Sequence, residues 1–191
     1  MVMSAKETLI EIIRERSFSY NSEPSFKLSS GGSSCFYFDM KKTTQSPDGM
    51  HLAGKLVFEK IMELGLSPDA VGGLTLGADP IAFAVAFYSY FTKNPVQAFV
   101  IRKEPKGHGL KLPIEGNVES GDHVVIIDDV VTTGASTIKA INTAREFGLI
   151  IDAVIVLVDR CEQNGRQNIE ALGFKVYAIF NVRDFLEAKT K

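Results

Sequence analysis

The most chemically loaded stretch of the chain is Val124-Val125-Ile126-Ile127-Asp128-Asp129-Val130-Val131-Thr132-Thr133-Gly134-Ala135-Ser136-Thr137. An apolar run ends in two adjacent carboxylates, and a turn of small hydroxyl residues with one glycine then opens a helix. The start of such a helix presents main-chain N–H groups that no helical carbonyl uses, together with the positive end of the helix dipole. Thr132, Thr133, Ser136 and Thr137 add hydroxyl donors, so the turn suits a phosphate dianion. Asp128 and Asp129 would repel that phosphate; they suit sugar hydroxyls as acceptors and electrostatically favour a cationic sugar. The string therefore describes a pocket for a ribose 5-phosphate. A bland reading, in which the acids cap a strand and the Thr/Ser run only starts a helix, would be preferred for an isolated Thr-Thr-Gly but not for the whole string. There is no Gly-Lys-Ser/Thr, and no Gly-x-Gly-x-x-Gly follows a strand, so the usual phosphate loops for nucleoside triphosphates and dinucleotides are missing.

A second group of interest is Arg102-Lys103-Glu104-Pro105-Lys106-Gly107-His108-Gly109, with Lys111 following. Proline and glycine argue against a helix, so a long loop is expected, running to about Gly121. Long loops in compact domains are commonly functional. This one could close over a departing polyanion, neutralise its charge and exclude water, with His108 lending a proton near neutral pH. On composition alone, a solvated basic surface loop is an equal reading. Two further features are the aromatic run Phe36-Tyr37-Phe38, which could stack on a planar base but is more often core, and Asp159-Arg160. A guanidinium there could meet a carboxylate with two parallel bonds, or sit at the surface.

These residues need a frame to hold them. Leu9, Ile12 and Ile13 recur at helical spacing over residues 5–16, with Ser4 as N-cap, and Ser46-Pro47-Asp48 starts a helix that runs to Gly65. Strand and helix then alternate. Strands are expected at Val71–Leu76, Val96–Ile101, His123–Ile127, Ala153–Val158 and Lys175–Phe180. Helices are expected from Asp79-Pro80 (N-cap and first turn) to about Phe91, over Gly134–Phe147, and over Gln167–Leu172. The helix after Asp79 is apolar nearly all round and should be well buried. Continuous apolar strands alternating with helices give an α/β fold, a parallel sheet covered on both faces, whose ligands sit at the carboxyl ends of the strands.

Bulk properties narrow the field. With 191 residues, 45% hydrophobic and 23% charged, the chain suits one globular domain with a real core. A net charge of -2 gives no global field toward nucleic acid or membrane. Cys35 and Cys161 are the only cysteines, far apart and without metal-ligand spacing, so a reduced cytoplasmic setting is expected. The first sixteen residues interleave charges with apolar positions, unlike a signal peptide, and no apolar run reaches membrane-spanning length.

The Asp128–Thr137 string resembles the phosphoribosyl pyrophosphate (PRPP) signature of type I phosphoribosyltransferases. The resemblance implies that Asp128 and Asp129 face the ribose hydroxyls, that Thr132, Thr133, Gly134, Ala135 and Ser136 hold the 5-phosphate, and that Val130 and Val131 also belong to the PRPP-binding segment. Arg102 to Gly109 is similar to the Arg-Lys-Glu-x-Lys-x-His-Gly loop of the orotate phosphoribosyltransferases. This implies PRPP and pyrophosphate contacts for Arg102, Lys103, Lys106 and His108, catalytic roles for Lys103, Lys106, His108, Asp128 and Asp129, and a homodimer in which each loop reaches its neighbour's site. Phe26 to Asp39 resembles the family's N-terminal base-binding segment, a hood formed by about residues 1–45 of a single domain spanning 1–191. Tyr37, Phe38, Thr132 and Arg160 would then be the orotate contacts. Two departures stand out: Ser29, Gly32 and Ser33 occupy positions where some members are basic, and Gly73 to Asp79 lacks a lysine found in some pyrophosphate loops.

The implied reaction transfers ribose 5-phosphate from PRPP to orotate, with Mg²⁺ held mainly by PRPP and water. Rival readings are a type I transferase for a purine, uracil or xanthine, which has no reason to need the basic loop or Arg160, and a PRPP-binding regulator without catalysis. The regulator would be expected to have lost the loop bases or to carry a DNA-binding segment, and neither is seen.

Overall fold

The computed structural model describes residues 3–27, 31–104 and 113–186. The chain opens with α1 (Ala5–Arg16), whose start is fixed by a reciprocal capping box between Ser4 and Glu7. Four short strands follow: β1 (Phe18–Tyr20), β2 (Phe26–Lys27), β3 (Ser33–Ser34) and β4 (Phe36–Phe38). They form two small antiparallel pairs, β1 with β4 and β2 with β3, which make the hood. The short helix α2 (Lys41–Thr44) leads into α3 (Pro47–Glu63), capped by the Ser46 hydroxyl, with proline in its first turn.

The remaining elements are β5 (Ala70–Leu74), α4 (Asp79–Tyr90), β6 (Gln97–Ile101), β7 (Ile114–Gly116), β8 (His123–Val131), α5 (Ala135–Phe147), β9 (Ile150–Asp159), α6 (Gly165–Glu170), β10 (Val176–Asn181) and α7 (Arg183–Leu186). The main sheet has the order β10-β9-β8-β5-β6-β7, parallel throughout except for β7.

Successive residues of β8 point to opposite faces, as a strand must. Val125 and Ile127 pack with α1, α3 and α4, whereas Val124 and Ile126 pack with α5 and α6. Each such side chain, fully buried, contributes about 1.5–3 kcal/mol. This double burial explains the continuous apolar sequence of β8 and β9. Because β5 leads through α4 to one side and β8 through α5 to the other, the sheet reverses its winding between β5 and β8. That switch point is where an open parallel sheet leaves a crevice for a ligand.

Several expectations are corrected. β8 does not stop before its acids but runs through them to Val131, held by pairing of Val130 with Val158 and Val131 with Asp159. β5 ends at Leu74, so Thr75 and Leu76 belong to the following turn. Asp79 is the first helical residue of α4 rather than its cap, and it accepts from the Thr75 hydroxyl at 2.6 Å. The long basic loop is shortened by β7, an edge strand of three residues that pairs back onto β6 and is too short to show a period. The largest departure is α4. Phe83, Phe87, Tyr90 and Phe91 form one exposed stripe, 52–75% accessible, on a helix expected to be buried all round. Its all-apolar character serves two surfaces, the sheet on one side and an open aromatic face on the other.

Candidate active site

The crevice between β5 and β8 gathers most of the residues singled out by their chemistry. Asp128 lies on the α5 side of β8 and is only 4% exposed. Its Oδ2 accepts from the hydroxyls of Ser136 (2.8 Å) and Thr137 (2.6 Å), and its Oδ1 from the Asp129 N–H (3.0 Å). Asp128 thus staples the first turn of α5 to the sheet. The Asp129 carboxyl lies beside that of Asp128, within reach of a hydrogen bond between them; its Oδ1 accepts from the Val130 N–H at 2.9 Å and lies against the turn after β5. A Cβ on Gly77 would stand 2.6 Å from that oxygen, so only glycine allows this approach. Burial raises the pKa of both carboxyls, and the charge of Asp128 raises that of Asp129 further, to about 7. Burial thus favours the protonated form of the pair, and a bound cation would favour the charged form.

The phosphate turn follows directly. Gly134 adopts φ of +81°, a left-handed conformation at the N-cap of α5, and the Ala135 N–H donates to Thr133 Oγ1 at 3.3 Å. The helix itself leaves its first N–H groups unused. Behind the turn stands α6: Asn168 Nδ2 donates to the Thr133 carbonyl at 2.9 Å, and Gly165 packs against Thr132. Thr132 and Thr133 are half-buried, Ala135 is exposed, and Ser136 is half-buried. Val131 and Val130 are different. Val131 is a core residue whose carbonyl accepts from the Arg160 N–H at 3.0 Å, and Val130 packs against the core, so their side chains serve the fold.

The base of the cationic loop opens onto a cavity of about 740 Å³ lined by Thr75, Phe83, Arg102, Lys103, Glu104 and Glu115. Arg102 is paired with Glu115 at 2.7 Å, and the Lys103 carbonyl accepts from Lys139 of α5 at 2.7 Å. Lys106 and His108 lie outside the described residues, as does Ser29.

At the hood, Phe38 is corrected from a base contact to a core residue: it packs against Phe18 and Phe185 at ring separations of 4.9 and 5.1 Å. Tyr37, one position along the strand, faces outward beside Phe26. It stands within electrostatic reach of both Arg160 and Lys41. Arg160 is 5% exposed and sits 5.0 Å from the Phe36 ring centre; its Nη2 donates to the Phe36 carbonyl (3.0 Å) and to Ser34 Oγ (3.1 Å). It is therefore no surface residue, and it joins the end of β9 to the hood.

Sequence reasoning missed four residues here. Lys41 of α2 lies close enough to Asp129 for their charges to act on each other, and it brings to the hood the positive charge that Ser29, Gly32 and Ser33 do not. Lys139 and Asn168 hold the loops in place, and Glu162 accepts from the Ser34 hydroxyl of the hood. None has a local signal; only hydrogen bonds across 35 or more positions reveal Lys139 and Asn168.

No family model matches the chain. It is 48% identical over 186 residues to the orotate phosphoribosyltransferase of Aquifex aeolicus, covering 97% of this chain and 100% of that protein. The chain belongs to the orotate phosphoribosyltransferase family. Its fold matches the crystal structure of Mycobacterium tuberculosis orotate phosphoribosyltransferase in complex with Fe(III) dicitrate with a TM-score of 0.81, at 31% identity over 95% of this chain and 99% of that one. The same mycobacterial enzyme in complex with PRPP gives a TM-score of 0.75, at 27% identity over 97% and 93% of the two chains. The orotate phosphoribosyltransferase fold of this chain thus has a crevice at its winding reversal, with a buried arginine joining the sheet to the hood.

Proposed function

We propose that the chain transfers the 5-phosphoribosyl group of PRPP to orotate, giving orotidine 5'-monophosphate and pyrophosphate. The observation that carries this reading is the pair of inequivalent buried carboxylates set directly beside a helix-opening phosphate turn at the switch point. In the reaction, the bond from the anomeric carbon to pyrophosphate breaks and a ring nitrogen of the base takes its place. The main-chain and hydroxyl groups from Thr132 to Ser136 hold the 5-phosphate, with Asp128 keeping that turn in register. Asp129, the carboxyl that faces the crevice, accepts from the ribose hydroxyls and stabilises positive charge as it grows on the sugar ring. Tyr37 and Arg160 take the base and its carboxylate. Arg102, Lys103, Lys106 and His108 balance charge on the leaving pyrophosphate. Orotate is already an anion, so positioning and charge dominate over base catalysis.

A hard divalent cation fits this donor set. Asp129 offers carboxylate oxygen at the crevice, while no group of three or more His, Cys, Asp or Glu side chains able to hold a metal occurs among the described residues. Mg²⁺ would therefore be carried by PRPP and water beside Asp129, where it supplies neutralisation of the pyrophosphate.

The exposed stripe of α4 supports a homodimer. Phe87 and Phe91 meet edge to face at 5.3 Å, and Phe87 and Phe83 border a cavity of about 320 Å³. Phe83 also lines the cavity at the root of the cationic loop, so a partner docked on this stripe would sit beside that root. Phe87→Glu is expected to halve the molecular mass in solution, read by light scattering; a dimer that persists would reject the α4 face. A reducing cytoplasm suits the two free thiols.

The direct test follows orotate absorbance with PRPP and Mg²⁺ for the wild type and Lys103→Ala. Turnover that needs all three is expected, with kcat about 10- to 30-fold lower in the variant, the worth of a lost charged hydrogen bond. Turnover with a purine or uracil in place of orotate would sink the assignment.

A further inference from the structure

Arg160 is already facing a carboxylate of the chain itself. Glu162 Oε2 lies 2.8 Å from Arg160 Nη2, and Glu162 Oε1 accepts from the Ser34 hydroxyl at 2.9 Å. Three oxygens, from Ser34, Phe36 and Glu162, thus crowd one nitrogen that has two protons. The result is a misfit: Arg160 Nε and Glu162 Oε2 are both buried, yet neither makes a hydrogen bond of good geometry among the described residues. Nε and Nη2 share one edge of the guanidinium, and that edge takes a carboxylate best through two parallel bonds. Glu162 instead spends one oxygen on Ser34 and leaves the edge half used.

We propose that Glu162 is an internal competitor for Arg160, covering its Nε–Nη2 edge in the free enzyme and giving way to the carboxylate of the incoming base. This rests on Arg160 being the carboxylate-binding residue. The placement of Glu162 supports such an exchange. Its side chain is 27% exposed and so has solvent on one side. It sits in a segment where Cys161, Gln163 and Asn164 all adopt positive φ, a conformation that costs non-glycine residues energy to hold. The competitor would act as a threshold for the base. A carboxylated pyrimidine replaces the charge that it displaces, whereas an uncarboxylated one would strand Arg160 without a partner in a buried site.

The test compares Glu162→Gln with the wild type, measuring KM for orotate, KM for PRPP, and inhibition by uracil competing with orotate. The expected result is a KM for orotate lowered about three- to tenfold, the scale of one unfavourable buried contact relieved. KM for PRPP and the inhibition constant for uracil should not improve. A KM for orotate that rises would overturn the proposal, because Glu162 would then be holding Arg160 in place for the substrate. An unchanged KM would overturn it as well. Arg160→Lys, checked for folding by thermal unfolding, separates the two levels. If it raises KM for orotate while Glu162→Gln fails to lower it, only the competitor is lost. If it leaves KM for orotate unchanged, the carboxylate role of Arg160 falls too.

Discussion

Exchange of Asp129 for Asn lowers kcat/KM for PRPP by about two to three orders of magnitude, as expected when one preorganised electrostatic partner of the transition state is removed. The same change stabilises the fold at neutral and alkaline pH. The carboxyl of Asp129 is raised to about 7 by burial and by the neighbouring Asp128. A group whose folded pKa lies above its unfolded value, about 4 for aspartate, makes the folded state bind more protons. Stability therefore falls as pH rises from about 4 to about 7, and the amide escapes this loss. The variant should match the wild type below pH ~4 and exceed it by about 1–3 kcal/mol above pH ~7. Urea unfolding at several pH values reads this directly. A stability difference that does not change with pH would show that the Asp129 carboxyl is not desolvated in the free chain.

Gly134→Ala acts on the other half of the pocket. At φ of +81° a methyl group is strained, and it would stand 2.8 Å from the Gly165 carbonyl and 3.0 Å from Ile169. Relief requires the phosphate turn to move off α6. The expected cost is about 2–4 kcal/mol in stability, combining left-handed strain with the clash. PRPP affinity should fall about 100-fold, because the N–H groups that would converge on one phosphate no longer do so. Titration with PRPP and thermal unfolding measure the two effects separately. Normal PRPP affinity in a destabilised variant would mean that the turn does not hold the phosphate.

The parts of this molecule that could be read from the sequence are those that compress into a short string. The strand, acids, turn and helix start of residues 124–137 are local, so their chemistry and order could be inferred together. The alternation of apolar strands with helices gave the sheet for the same reason. Asp128 and Asp129 look equivalent as neighbours in sequence, but only Asp128 is tied to the first turn of α5, while Asp129 beside it is partly open to the crevice. Phe38 and Tyr37 are separated by the alternation of a strand, one into the core and one outward. An apolar helix such as α4 reports how much of its surface avoids water, not whether the sheet or another molecule does the covering. Lys41, Lys139, Glu162 and Asn168 contribute through contacts between distant segments, and no period or motif of the sequence encodes those.

The aromatic clasp between hood and chain end has a temporal consequence. Phe185 packs against Phe18, Phe38 and Phe180 at ring separations of 5.5, 5.1 and 5.8 Å, and Arg14 bonds to the Asp184 carbonyl. Segments far apart in the sequence, around residues 14–38 and 180–185, are thus clasped together. Strands β5, β6 and β8, with the crevice at the winding reversal, can assemble while synthesis continues, whereas the clasp must wait for residues 180–186. Completion of the hood is therefore tied to the synthesis of residues that lie about 140 positions beyond it.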